Sequence, residues 1–377
     1  MGNKKNNDAL TKNHPSLPKR AAQFHFISNM TKRFIPLKIR NYFSTSFFYL
    51  SGEIPFSISE FFKGSRIGKA FWGAFILTFL FAFVGQVITT YLQNSFSGDN
   101  IEKIYFSDDL KNIINYVFIC PLYVGLSTIF FLTLINIRLG AGDLASMLGN
   151  REKDFSNGGM PAVVIMFLVL SMPAIGIVNY ISEVLDPAVY SKEFWFISKT
   201  APSGDRILGM AGIYYALVNY VLQLITVLAA FSFAYLVYYA GKVGELIDNK
   251  DVRNEIVFTK LKDHLSQFVY GYLIAKALVA TYMINILYTW PVSNPTESTN
   301  YVAAGVLILL IGLFIVPFPR YYIQMRWYEF AKQRAEEGFG EYPSYQDLRT
   351  ENIQGISWFL DSLIILNVAK EIWFAIN

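Results

Sequence analysis

Charged residues are scarce in this chain, and cysteine and histidine are scarcer still. Only 16% of the 377 residues are charged, against about 25% in an average soluble domain, so little of the chain can cover a surface that faces water. The single cysteine, Cys120, excludes a disulfide or a cysteine-based metal cluster within one chain. No metal centre or cofactor is expected, because the three histidines have no metal-ligand spacing: His14, His25 and His264.

Motifs of several functional classes are missing as well. The chain has no phosphate-binding glycine loop, no potassium-channel filter sequence and no arginine-rich voltage-sensing repeat. The serines in its apolar runs have no histidine at a comparable depth, so a nucleophilic site is not predicted. A nucleic-acid partner is not predicted either, since basic residues without a recognition motif are a weak signal. These absences favour a protein that is not an enzyme.

Long apolar runs are what the sequence has in abundance. Residues of hydrophobic type make up 53% of the chain, and a run of ~20 helical residues crosses a bilayer core of about 30 Å. Each run is apolar on all faces rather than along one stripe, which is typical of a helix in lipid. The sequence predicts an all-α polytopic membrane protein with about six transmembrane helices, near 70–92, 113–137, 161–182, 208–240, 268–290 and 302–318.

The two ends of the chain differ from this middle part. We expect a basic, aromatic-rich segment over 1–68, the six-helix domain over 69–318 and a cytoplasmic tail over 319–377. Within the tail, the first helix is predicted to stop at Gly338 and Gly340. The last apolar stretch, 356–376, has two interpretations. It crosses the membrane as a seventh helix, or it packs as a membrane-associated helix on the cytoplasmic side of the bundle or on a protein partner.

Lysine and arginine are distributed unevenly between the connecting segments. Alternate segments hold 26 Lys and Arg residues on one side and five on the other. Cytoplasmic segments carry the excess in membrane proteins, and an anionic cytoplasmic leaflet attracts them. We therefore expect both termini in the cytoplasm and the protein in the plasma membrane, which is the inner membrane of a bacterial cell. The richer side comprises 1–69, 138–160, 241–266 and 317–377, and the poorer side 93–112, 183–207 and 291–301.

Lys276 interrupts the fifth apolar run close to its centre. A charged lysine at that depth costs ~2.5–3.5 kcal/mol, so its side chain should face protein or water rather than lipid. Tyr272 is one helical turn away and is a local partner. Asp361 is an ion-pair candidate if the terminal segment inserts into the bundle, and an anionic substrate or lipid headgroup is the alternative. The candidate ligand-binding residues are Lys276, Tyr272 and Asn285.

Several apolar runs contain one or two uncharged polar side chains. Interhelical hydrogen bonds commonly use such residues, and lining a pathway is the alternative role. Gly271 and Ala275, four residues apart, allow another helix to approach the fifth run closely. The polar residues are Gln86, Asn136, Asn179, Asn219, Gln223 and Asn285.

Two functions from different classes are consistent with these features. The first is a membrane sensor, assembly or scaffold component of a larger complex, with a protein partner at the terminal helix. The second is a small-solute transporter or permease that uses Lys276. A lipid-acting enzyme with a divalent cation at Asp143, Glu152 and Asp154 is a third, although basic residues interleave with these carboxylates.

Overall fold

Most of the residues that the structure, a computed structural model, describes are helical, and three of the helices among them are long and apolar enough to cross a membrane. These three are Gly68–Phe96, Asn112–Ile137 and Met210–Gly241, and Phe167–Ser182 is a shorter apolar helical stretch. The predicted runs 70–92, 113–137 and 208–240 are thereby confirmed as apolar helices. The structure describes residues 66–96, 103–108, 110–147, 162–186, 195–199, 206–248, 268, 270–282, 310, 318–341, 359–362, 365–366 and 369.

The first two long helices each contain a π-helical segment. Helix α1 (Arg66–Thr78), π1 (Phe79–Val84) and α2 (Gly85–Phe96) are continuous, and so are α3 (Leu110–Ile114), π2 (Asn115–Ile119) and α4 (Cys120–Met147). The two π-helical segments pack against each other. A π-helical turn bonds i to i+5, which disturbs the regular pairing of its carbonyls. The Tyr214 hydroxyl donates a hydrogen bond of 2.6 Å to the Phe81 carbonyl within π1.

A single long helix, α6 (Met210–Asp248), lies at the centre of the fold. It follows α5 (Ala162–Leu185) and packs against α2, α4, α5 and the later helix α8 (Phe318–Glu336). Its 39 residues extend about 58 Å at 1.5 Å per residue. Between α6 and α8, residues 270–282 are helical and are called α7 here. Residues 269 and 283–290 of the run 268–290, and nearly all of the run 302–318, lie outside the described residues.

Helix α8 ends as the glycines predict. Gly338 has a φ of 84°, a left-handed conformation that favours glycine. The Gly338 N–H donates to the Ala335 carbonyl at 3.0 Å, and the Phe339 N–H donates to the Arg334 carbonyl at 3.0 Å. This pair of hydrogen bonds is the Schellman arrangement that closes a helix at its carboxyl end. The predicted stop after the first tail helix is confirmed.

Two short strands make the all-α expectation incomplete. Strands β1 (Ile197–Lys199) and β2 (Arg206–Leu208) pair antiparallel. The predicted helical run 208–240 therefore begins at the last residue of β2, and α6 itself begins two residues later, at Met210. Gly209, between the two elements, is still bonded to the hairpin, because its N–H donates to the Phe196 carbonyl at 3.2 Å. The hairpin returns the chain to the start of α6.

The hairpin and the segment after α2 lie together at one end of the bundle. The Gln93 amide donates to the Trp195 carbonyl at 3.2 Å and accepts from the Ala211 N–H at 2.9 Å. The rings of Phe106 and Trp195 are 4.9 Å apart, edge to face. Two segments that are poor in lysine and arginine, 93–112 and 183–207, thus contact each other.

The largest buried cluster lies towards the other end, where α4, α6, α7 and α8 meet. Gly271 belongs to this contact: a Cβ atom added there would lie 3.3 Å from Ile137 and 3.5 Å from Leu236. The backbone of α7 therefore lies close to side chains of α4 and α6 at this glycine. The cluster includes Phe130, Ile137, Leu236, Tyr239, Phe268, Tyr272, Trp327 and Phe330.

Candidate functional site

Lys276 lies on α7 among residues that belong to this cluster. Its side chain is 2% exposed and is among the largest fully buried side chains of the described residues. Ala275, Leu278 and Ala280, its neighbours on α7, are buried as well. A lysine so placed cannot reach water, so its charge must be balanced by the protein.

Two side chains supply that balance. The Lys276 ammonium donates a hydrogen bond of 3.1 Å to the Tyr272 hydroxyl, and it forms an ion pair with the Asp361 carboxylate. It also lies 5.5 Å from the centroid of the Tyr272 ring. Side chains on an α-helix tilt towards its amino terminus, so the residue four positions earlier is a natural partner. An ammonium, a hydroxyl and a carboxylate group thus meet at this site.

The contacts of α7 show where along the bundle this point lies. Gly271 is level with Ile137, the last residue of the span Asn112–Ile137. The rings of Tyr282 and Tyr123 are 6.0 Å apart, and Tyr123 is near the middle of the same span. Lys276 lies between these levels, and its ammonium is directed back towards Tyr272. The Lys276 ammonium therefore lies nearer than the Lys276 backbone to the end of the bundle where α8 packs.

Asp361 lies among the helical residues 359–362, 365–366 and 369, which are called the terminal helix here. Its side chain is 25% exposed, and Leu360 beside it is 9% exposed. Phe359 and Leu366, by contrast, are 62% and 66% exposed. The terminal helix thus contacts the bundle with one side and presents apolar side chains on the other.

The ion pair determines what the site can do. Two opposite charges in a low-dielectric interior attract strongly, but each also loses hydration, so the pair is stable only as long as both partners stay in place. With Asp361 present, the ammonium is neutralised within the chain. Among the described residues, no group of three or more His, Cys, Asp or Glu side chains is arranged to hold a metal ion.

The structure brings together three of the four residues singled out from the sequence. Lys276, Tyr272 and Asp361 form the site, and Asn285 lies outside the described residues. The other polar side chains of the apolar runs do not share one environment. Gln86 is fully buried, Asn136 and Asn219 are half-buried, and Asn179 and Gln223 are exposed.

A second polar group lies where π2 joins α4, and sequence reasoning found only part of it. The Asn219 amide donates to the Tyr116 hydroxyl at 3.2 Å, and the Cys120 thiol donates to the Asn115 side-chain oxygen at 3.4 Å. Asn219 stood out as an amide in an apolar run. Asn115 and Tyr116 did not, because they fall at the start of a run, where polar residues are common, and the π-helical turn that buries them has no local signature.

Comparison of the chain with protein-family models, with curated proteins and with solved structures found no match.

Proposed function

We propose that the chain is a non-enzymatic integral membrane protein, an assembly or scaffold component in which Asp361 neutralises the buried Lys276 and thereby allows the terminal helix to dock on the bundle. The ion pair between Lys276 and Asp361 carries this proposal. An ammonium that already has a carboxylate and a tyrosine hydroxyl has little capacity left for an anionic solute. The geometry therefore favours a role in attaching the terminal helix over a role in binding a substrate.

The proposed membrane topology has about six spans, with both termini in the cytoplasm of a cell and the spans in its plasma membrane. The uneven distribution of Lys and Arg, 26 residues against five, supports it. The contact between 93–112 and 183–207 also supports it, because alternating spans place these two segments on the same side.

The proposed partner is another membrane protein that binds the outer side of the terminal helix. Phe359, Ile365 and Leu366 are 62%, 49% and 66% exposed. Side chains of this kind offer an apolar surface against which a helix of another membrane protein can pack. The ion pair fixes the helix in one position and thereby orders this apolar side before the partner arrives.

The full-length chain, extracted gently from its native membrane, tests the proposal by intact-complex mass measurement. We expect a discrete complex of fixed stoichiometry for the native chain. We expect Asp361→Asn to lose the partner, because the terminal helix loses its attachment. Glu336→Gln is the matched control, since it removes only the exposed pair with Lys332 at 3.7 Å. A native chain without a partner, or a complex that survives Asp361→Asn, overturns the proposal.

Cysteine labelling tests the topology. The buried Cys120 is replaced by serine, and one new cysteine is introduced at an exposed position, either Ser107 or Glu337. A membrane-impermeant maleimide added to intact cells should label Ser107→Cys only, and Glu337→Cys should react only after the cells are opened. Labelling of both positions in intact cells contradicts the orientation.

A small-solute permease is the second candidate function, and the polar side chains buried around Tyr116 favour it. A permease that uses the lysine should lose flux in proteoliposomes when Lys276 is replaced by methionine, while expression and folding persist. Unchanged flux in Lys276→Met removes the lysine from any transport role.

A further inference from the structure

Gln86 is the most completely buried amide of the described residues. Its side chain is 0% exposed, and neither its amide nitrogen nor its oxygen has a hydrogen-bond partner in that part of the chain. A buried donor or acceptor without a partner costs about 1–3 kcal/mol. Gln93, two turns further along α2, shows the usual solution: its amide pairs with the Trp195 carbonyl and the Ala211 N–H.

Gln86 lies between an apolar and a polar neighbour on the buried face of its helix. Ala82, one turn earlier on the same face, is 0% exposed and belongs to the buried cluster that contains Tyr116 and Cys120. Thr90, one turn later, is 1% exposed and donates its hydroxyl to the Gln86 backbone carbonyl at 2.8 Å. Segment π1 ends two residues before Gln86. Single π-helical turns are frequent at functional sites, because they reorient side chains and carbonyls within a helix.

The charge of the surroundings restricts what Gln86 can bind. Residues 70–96, 112–137 and 210–241 contain no Asp, Glu, Lys or Arg. An ion would therefore have no counter-charge in these helices, and its desolvation would not be offset. The amide offers a donor from its nitrogen and an acceptor from its oxygen. A complementary molecule is neutral and carries both an acceptor and a donor.

We propose that Gln86 forms a binding site for one small neutral molecule that both donates and accepts hydrogen bonds. The chemistry is that of a hydroxyl or amide group, supplied by a bound water molecule or by a small solute. The site is separate from the lysine site, and it does not depend on whether the chain assembles with a partner.

The test compares the melting temperatures of two purified full-length variants, Gln86→Met and Gln93→Met. Methionine has a similar shape to glutamine but makes no such hydrogen bonds. If Gln86 holds a molecule, Gln86→Met loses its hydrogen bonds and lowers Tm by an amount similar to Gln93→Met. If the amide is unpaired, the replacement removes a destabilising group, and Tm stays the same or rises. That result overturns the proposal.

A high-resolution cryo-EM map of the native chain decides the matter if Gln86→Met does not fold. Density within hydrogen-bond distance of both amide atoms supports the site, and its absence there overturns it. Acetamide and ethylene glycol separate the two sources of the ligand. An increase of Tm with either probe in the native chain, and not in Gln86→Met, identifies a solute. A compact single density with no such increase identifies water.

Discussion

Replacing Asp361 with asparagine should detach the terminal helix, because it leaves a buried charge without a counter-charge. Removing one partner of a buried ion pair costs about 3–5 kcal/mol. Two features of this site reduce the loss: the Tyr272 hydroxyl stays 3.1 Å from the ammonium, and the Asp361 side chain is already 25% exposed. We therefore expect Asp361→Asn to destabilise the docked terminal helix by about 2–3 kcal/mol.

Lys276→Met should have a smaller effect, since it removes the member of the pair that is 2% exposed. Methionine fills much of the same volume, and the carboxylate that remains can regain hydration. We expect a cost of about 1 kcal/mol or less. The double variant contains neither charge, so its cost should resemble that of Lys276→Met alone. The two single changes should then be coupled by about 2 kcal/mol.

Hydrogen exchange over residues 359–369 measures this effect directly, because it reports local opening of the terminal helix. A loss of about 2–3 kcal/mol accelerates exchange about 30- to 150-fold, at 1.4 kcal/mol for each factor of ten. Glu336→Gln should leave this exchange unchanged. Equal acceleration in Asp361→Asn and Lys276→Met, or none in either, would refute the argument from unequal burial.

Two further pairs of substitutions test the packing of α6. Gly212→Ala should destabilise the fold by about 1–3 kcal/mol, because the new Cβ would lie 2.5 Å from the Phe196 carbonyl oxygen. Gly241→Ala should be neutral or stabilising, because the new Cβ meets nothing within 4 Å. Equal melting temperatures for the two variants would contradict this expectation. Tyr214→Phe should cost about 1 kcal/mol by removing the hydroxyl that donates to π1 at 2.6 Å, and Tyr220→Phe should cost less, since its bond is exposed and 3.3 Å long. Chemical unfolding in detergent compares the two tyrosine variants, and a larger loss for Tyr220→Phe would be inconsistent with the structure.

The long helices could be predicted from the sequence because their signal is local. A run such as 113–137 is apolar on every face and long enough to cross a bilayer, and both properties are visible without knowing any contact. The start of α6 is predicted less accurately than its length. It depends on the hydrogen bond from Gly209 to Phe196, which exists only once the hairpin has formed. The π-helical segments have the same origin in tertiary contacts.

Only part of the lysine site can likewise be predicted from the sequence. Tyr272 is within reach of Lys276 by helical spacing alone, because both residues are on α7. The choice between Asp361 and an external anion depends on where a distant helix packs, and periodicity carries no information about that. Gln86 was visible as an amide in an apolar run, but its lack of a hydrogen-bond partner could be recognised only once the neighbouring helices had been placed.

The length of α6 has a mechanical consequence. Near one end, Gly212 contacts the chain at Phe196 beside the hairpin, and near the other, Gly244 contacts Tyr322 of α8. A rigid rod of about 58 Å that tilts by about 5° about its midpoint moves each end by about 2.5 Å, in opposite directions. One helix thus joins the two ends of the bundle, and a force applied at the hairpin is delivered to α8 without any intermediate element.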